Sequence, residues 1–242
     1  MRRCAHRRVA MPKSAFTCLP SSLLTPKVVT GLTSNGWAML SAFHHGEMAI
    51  GEMCLEVAKC LGTPIGTRTR NLVDVLQPQI CSKAHQRSLS RQAGMGTLPW
   101  HVDLAHRPVP ARYLVLGCLS VGEIQAGTEF IDREVFLPTK LVADARSEPF
   151  LIRNGEHSFY GSILEGREDF IRFDPACMQG ATKDAQMLID HLANTRTSPT
   201  YVHQWQPSDV LLIDNWRLVH RRANASKSLG RTLLRVSVME NA

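Results

Sequence analysis

Two histidines and an aspartate, His101, Asp103 and His220, are the residues of this sequence best suited to chemistry. In Gly96-Thr97-Leu98-Pro99-Trp100-His101-Val102-Asp103 the histidine and the aspartate stand two apart. On extended backbone such residues share a side, so an imidazole and a carboxylate are presented together. Far downstream, Asp209-Val210-Leu211-Leu212-Ile213-Asp214-Asn215-Trp216-Arg217-Leu218-Val219-His220 reads as a hydrophobic strand, a tight turn and a second histidine. Two imidazoles and one carboxylate make a facial triad with three adjacent coordination positions open, the ligand set of non-haem Fe(II) sites. Structural zinc normally takes four protein ligands, so the set points to a catalytic metal.

A His-x-Asp pair alone recurs by chance; its company gives it weight. Eleven residues beyond His220 stands Arg231, and fifteen beyond stands Arg235, in the strand-like run Gly230-Arg231-Thr232-Leu233-Leu234-Arg235-Val236-Ser237-Val238. A spacing of four keeps both guanidinium groups on one side of a strand, near the metal, as partners for anions. The other histidines are weaker. His106 is a rival ligand, but the Arg107-Pro108 that follows it places it in a loop. Adjacent His44 and His45 point to opposite faces of any strand, and His157, His191 and His203 lie on separate elements, each read as a surface or internally satisfied histidine.

The elements that must position these groups can be traced along the chain. Gly36 to Leu40 reads as a strand, Gly46 to Leu61 as an amphipathic helix stopped by Gly62, Leu72 to Leu76 as a strand, and Ser88-Leu89-Ser90 as another leading through Gly94 and Gly96 into the metal motif. Ala111 to Val121 is a nearly continuous apolar run, the pattern of a strand buried on both faces, and Cys118 within it reads as a small apolar residue. Thr128 follows in a further strand-like stretch, and the acidic start at Asp132 marks a helix N-terminus. Arg146 to Pro175 alternates apolar runs with Gly, Asn and charge, as hairpin strands or a lid do. Lys183 to Ala193 is an amphipathic helix whose Ala185, Leu188, Ile189 and Leu192 face the core. The fold class is mainly β with flanking helices (α+β), a β-sandwich or a double-stranded β-helix with its jelly-roll core.

At 242 residues the chain suits one catalytic domain, here 31–242, preceded by a basic, flexible N-terminal segment over 1–30. Its formal charge of +7 is concentrated at the start: Arg2, Arg3, Arg7, Arg8 and Lys13 precede the first acid, Glu47. That pattern fits a flexible arm, a transit peptide or translation from upstream of Met11. Seven scattered cysteines without a Cys-x-x-Cys argue against a disulfide framework and for a reducing compartment, the cytoplasm, or an organelle if the start is a transit peptide. No apolar run is long enough to cross a bilayer, so no membrane partner is expected.

With His101, Asp103, Thr128, His220, Arg231 and Arg235 in this order, the chain from about Trp37 to Val238 resembles the Fe(II)/2-oxoglutarate-dependent oxygenases of the taurine dioxygenase and clavaminate synthase-like group. The resemblance implies a double-stranded β-helix in which His101, Asp103 and His220 hold Fe(II), and Thr128 with Arg231 binds the distal carboxylate of the co-substrate 2-oxoglutarate. Arg235 is implied to turn towards a small anionic substrate; the alternative is an internal acid such as Asp132 or Asp214. The implied reaction consumes O2, releases succinate and CO2, and hydroxylates an aliphatic C–H bond. Related halogenases lack the carboxylate that Asp103 retains. Two departures bear on substrate: the segment from Asp103 to His220 is shorter than in many members, and many amino acid hydroxylases of the group carry Glu where Asp103 stands.

Three other classes compete. A catalytically inactive binding protein stapled by its metal would explain the short lid, and a zinc hydrolase would share the ligand types. Nucleic-acid binding would use the acid-free basic run Arg217, Arg221, Arg222, Lys227, Arg231 and Arg235, but neither a recognition helix nor interleaved aromatics accompany it, so no nucleic-acid partner is expected.

Overall fold

The structure, a computed structural model, describes residues 23–40, 48–67, 70–86, 88–155, 157–166 and 170–241. Helix α1 (Pro26–Asn35) begins where the Thr25 hydroxyl accepts from the Val28 N–H and where the missing N–H of Pro26 costs nothing, and it ends at Gly36 with φ +78°. Next come β1 (Trp37–Leu40), α2 (Ile50–Leu61), β2 (Thr63–Ile65), β3 (Asp74–Leu76), α3 (Leu89–Ala93), β4 (Tyr113–Ser120) and β5 (Thr128–Asp132). After α4 (Arg133–Phe136) and α5 (Thr139–Ser147) the chain makes β6 (Phe150–Ile152), β7 (Phe159–Gly161), β8 (Leu164–Glu165), β9 (Phe170–Ile171) and β10 (Met178–Gly180). Helix α6 (Lys183–Ala193) then leads to β11 (Tyr201–His203), β12 (Val210–Asp214), β13 (Leu218–Arg222) and β14 (Thr232–Met239).

The major sheet is antiparallel in the order β1-β12-β4-β14-β2, with β3 also on the outer edge of β14. A smaller sheet, β11-β5-β13, lies across from it, and β10-β6-β7 and the β8-β9 hairpin complete the fold. This is the double-stranded β-helix with flanking helices.

Side-chain alternation sorts the core into layers. Tyr113 and Val115 of β4, Val210 and Leu212 of β12, and Val236 and Val238 of β14 pack beneath α1 and α2. Their neighbours Leu114, Leu116, Cys118, Leu211, Ile213 and Leu233 turn the other way, against Phe130, Trp205 and Leu218 of the smaller sheet's side. The opposite face of that sheet offers Ile131 and Val219 to a third layer containing Phe150, Ile152, Phe173 and the apolar face of α6.

Buried core side chains of the Leu, Ile or Phe type contribute roughly 1.5–3 kcal/mol each, so α6 is held chiefly by Leu188, Ile189 and Leu192 rather than by propensity. A Cβ at Gly117 would fall 2.5 Å from Cys54 Sγ and 2.9 Å from Ile50 Cγ1, so glycine sets how closely α2 approaches β4. Gly117→Ala therefore costs about 1–3 kcal/mol through overpacking, read as a lowered Tm; an unchanged Tm would show that α2 adjusts freely.

Three sequence expectations change. The basic segment placed over 1–30 is helical from Pro26, with Val28 and Leu32 buried; residues 1–22 lie outside the described region, as do His44 and His45. Ser88-Leu89-Ser90 opens α3 instead of forming a strand. It contains no β-branched residue to favour extension, and Gly94 at φ +53° ends the helix. Helix α2 begins at Ile50, later than the Gly46 expected.

Candidate functional site

Strand β13 turns Leu218 into the space between the sheets while Val219 faces the outer layer, and the same alternation carries His220 and Arg222 inward. His101 joins that strand as a one-residue antiparallel bridge: its N–H donates to the His220 carbonyl at 3.0 Å, and the His220 N–H donates back at 2.9 Å. This reciprocal pair sets two imidazoles side by side, with ring centroids 4.7 Å apart. The Val102 N–H on the Phe173 carbonyl (2.7 Å) and the Leu98 N–H on the Arg222 carbonyl (3.0 Å) fix the rest of the segment.

Asp103 is held by its backbone. The fully buried Asn215, in the turn between β12 and β13, accepts from the Asp103 N–H at 2.9 Å and donates to the Asp103 and Ala111 carbonyls at 3.0 and 2.8 Å. Leu104, the next residue, takes the left-handed conformation (φ +59°), a local strain of the kind found at functional sites. Asp103 Oδ1 then lies 3.8 Å from His101 Nε2 and 4.0 Å from His220 Nε2. The three residues offer one ligand atom each, all within 4.8 Å of one another, and no other such group of three occurs among the described residues.

The protonation states suit a cation. His101 Nδ1 lies 2.9 Å from the Pro99 carbonyl, which only accepts, so Nδ1 donates there and Nε2 is the nitrogen turned towards Asp103. Burial, then the neighbouring His101, hold His220 down to about 4 against the pull of Asp103, leaving it neutral at pH 7. Burial would raise the Asp103 carboxyl, but Arg235 above all, with His220 and His101, outweighs burial and holds it at about 2.

Arg235 departs from expectation. Its Nη1 donates to Asp103 Oδ2 at 2.8 Å and its Nη2 to Asp74 Oδ2 at 2.9 Å. In place of the substrate anion expected from the sequence, the structure gives this guanidinium two internal carboxylates. The acids named from the sequence are elsewhere: Asp132 pairs with Arg217 at 2.7 Å, and Asp214 is buried near Arg112.

Arg231 and Thr128 do meet. Arg231 sits one residue before β14, on the side of Leu233 and Arg235, and its Nη2 reaches Thr128 Oγ1 at 3.4 Å, where Trp205 Nε1 also donates at 2.9 Å. Arg231 is only 4% exposed, and among the described residues no carboxylate pairs with it. Burial and the like charge of Arg222 push it down to about 10. Arg222 spends one nitrogen on the Gly94 and Gly96 carbonyls, at 2.7 and 2.6 Å, which ties down the loop entering the His101 segment. The result is a buried cationic pocket beside the ligand triad.

The remaining sequence readings resolve simply. His203 is buried and bonded to Asp209 and Tyr201, His157 and His191 are exposed, and His106 lies in a turn outside the ligand group. Four of the six residues of the basic run are engaged within the fold: Arg217 binds Asp132, Arg221 binds Glu129 and stacks 4.0 Å over Trp100, Arg222 binds backbone, and Arg235 binds acids. Sequence reasoning missed Asp74, Asn215, Arg222 and the fully buried Arg172, which donates to the Ala105, Arg107 and Pro108 carbonyls and so pins the loop after Asp103. No described helix is long and apolar enough to cross a membrane.

A fold and site of this kind define a double-stranded β-helix protein with three residues placed to hold a metal ion beside a buried cationic pocket. Residues 146–237 match the taurine catabolism dioxygenase TauD, TfdA family, in line with the resemblance read from the sequence. That segment contains His220, Arg231 and Arg235; His101, Asp103 and Thr128 come to them through the fold. An L-lysine 3-hydroxylase of Catenulispora acidiphila is 27% identical over 186 residues, 69% of this chain and 51% of that protein, so the chain spans about half the length of that curated relative. An asparagine oxygenase solved with Fe(II), 2S,3S-3-hydroxyasparagine and succinate shares the fold at a TM-score of 0.71 and 19% identity, covering 91% of this chain and 80% of that one. The non-heme iron oxygenase OrfP, solved with Fe and alpha-ketoglutaric acid, aligns at a TM-score of 0.60 and 26% identity over 78% of this chain and 65% of its own.

Proposed function

We propose that residues 31–242 form a single Fe(II)- and 2-oxoglutarate-dependent oxygenase domain that hydroxylates an aliphatic C–H bond of a small, amino-acid-like metabolite bearing a carboxylate. One observation carries the reading: a two-histidine, one-carboxylate ligand set stands beside a buried guanidinium that has a hydroxyl partner and no acid among the described residues. The donor set fits Fe(II), with both imidazoles presenting Nε2 and the carboxylate ionised at neutral pH. His101, Asp103 and His220 would hold the metal. Arg231 and Thr128 would bind the distal carboxylate of 2-oxoglutarate, because a buried planar cation is stabilised by a carboxylate that matches its fork. Fe(II), when bound, supplies the O2 activation that turns 2-oxoglutarate into succinate and CO2 and a substrate C–H into C–OH. The protein's part is to bind, orient and exclude water.

The substrate class is supported by the relatives, whose names record hydroxylation at lysine and asparagine. The test is succinate formation by the purified chain in air with Fe(II), ascorbate and 2-oxoglutarate, across a panel of free L-amino acids. Stimulation by one or more of them, with a hydroxylated product of mass +16, is the expected result. A protein that binds neither Fe(II) nor 2-oxoglutarate anaerobically would overturn the reading, and hydrolysis with Zn(II) in its place would move the domain to another class.

A further inference from the structure

The oxygen of Asp103 that faces the two imidazoles is Oδ1; the other, Oδ2, is taken by Arg235 at 2.8 Å. Arg235 is itself fixed. Its second nitrogen meets Asp74 Oδ2 at 2.9 Å, and the Thr67 hydroxyl lies 2.7 Å from both Asp74 oxygens. The backbone sets this arrangement, because β3 pairs with β14 in the register that places Asp74 directly opposite Arg235. Asp74, Arg235 and Asp103 are mostly buried, with side-chain exposures of 8%, 17% and 13%. The chain Thr67–Asp74–Arg235–Asp103 therefore runs from an edge strand, through the major sheet, to one oxygen of the candidate metal set.

We propose that Arg235 and Asp74 are positioning residues that restrict Asp103 to a single metal-facing oxygen. The inference rests on the metal reading given above and adds a requirement to it. A carboxylate binds a cation through one oxygen or two. In a six-coordinate site, two imidazoles and one carboxylate oxygen leave three positions: two for a chelating keto acid and one for O2. A second carboxylate oxygen on the metal would remove one of the three. Holding Oδ2 in a charge-assisted hydrogen bond keeps it away from the metal, and the bond from Asp74 keeps Arg235 from swinging elsewhere. The arginine that sequence alone assigns to substrate thus sets how many sites the metal keeps open.

The experiment separates metal binding from keto acid chelation. The full chain is loaded anaerobically with Fe(II), its metal affinity is measured by competition with a chelator, and 2-oxoglutarate is titrated while the absorption of the Fe(II)–keto acid chelate is followed. Arg235→Met is expected to keep Fe(II) affinity within about threefold while weakening the chelate by roughly tenfold or more, a difference of about 1.4 kcal/mol or greater. Arg235→Lys, which keeps one charged contact to Oδ2, falls between Arg235→Met and the unmodified protein. Asp74→Ala, which touches no ligand, shows the same split in smaller measure. If Asp74→Ala does not fold, the isosteric Asp74→Asn must show that split.

Unchanged chelation in Arg235→Met overturns the proposal, and so does a proportional loss of metal and keto acid, which is what a purely structural role gives. Weakened chelation in Arg235→Met with wild-type chelation in both Asp74 variants overturns the role of Asp74. An unmodified protein that binds no Fe(II) would instead remove the site reading and this inference with it.

Discussion

Alanine in place of His220 is expected to abolish succinate formation at Fe(II) concentrations that saturate the unmodified protein, and to leave the domain folded. Loss of a partner that merely orients a ligand costs about 10–100-fold, so loss of the ligand itself exceeds a hundredfold. The fold survives because His220 contributes its strand pairing through the backbone: its reciprocal bonds to His101 use N–H and carbonyl groups that alanine also has. Removing the ring leaves a small cavity beside Phe130, at about 1–3 kcal/mol. Asp103→Ala behaves differently. It strips Arg235 of one of two acids, and breaking a buried pair from one side costs about 3–5 kcal/mol, so activity and Tm fall together. Succinate assays with parallel thermal melts check both. Full activity in His220→Ala would remove it from the metal set, and equal Tm losses in the two variants would discredit the Asp103–Arg235 contact.

The ligand triad was legible because each half of it is local. His101 and Asp103 share a strand side by period two, and His220 follows an apolar run and a turn, so only their meeting had to come from the fold. The same holds for α6, whose buried set Ala185, Leu188, Ile189 and Leu192 is the one its periodicity marks. Asp74 was not legible. It reaches Arg235 through the pairing of β3 with β14, which no spacing in the chain encodes. The sequence did place both arginines on one side of a strand, but what a guanidinium binds depends on which acid lies across the sheet. Asn215 hid for a like reason, since its amide closes on Asp103 and Ala111 across more than a hundred residues. Helix α1 was missed although its signals were present: Thr25 and Pro26 at the start and Gly36 at the end form a start-and-stop pair that the basic stretch before it obscured.

Replacing Arg231 with methionine is expected to weaken 2-oxoglutarate binding and, at the same time, to raise the Tm of the metal-free protein. The loss follows from truncating a charged contact in a buried pocket, at about 2–5 kcal/mol, or roughly thirtyfold to a few thousandfold in affinity. The gain follows from the same burial. Arg231 has a hydroxyl partner, no carboxylate among the described residues and a like charge nearby in Arg222, which together push it down to about 10. A cation whose folded pKa is lowered weakens the fold at every pH below that value, where both states are charged, and the penalty fades only as pH rises from about 10 towards the unfolded value. At pH 7 it is therefore fully present, on the order of 3 kcal/mol. Removing the charge returns that amount, less what methionine loses in packing, and a domain of this size gains roughly 2–4 °C per kcal/mol. On the proposed reading 2-oxoglutarate supplies the missing anion in the unmodified protein, so it is expected to raise Tm there and not in Arg231→Met. Anaerobic titration of the Fe(II)-loaded protein and melts with and without 2-oxoglutarate check the pair of effects. Wild-type affinity in Arg231→Met would move the co-substrate away from Arg231, and a lower Tm in the metal-free variant would mean that Arg231 is compensated in the fold without any ligand.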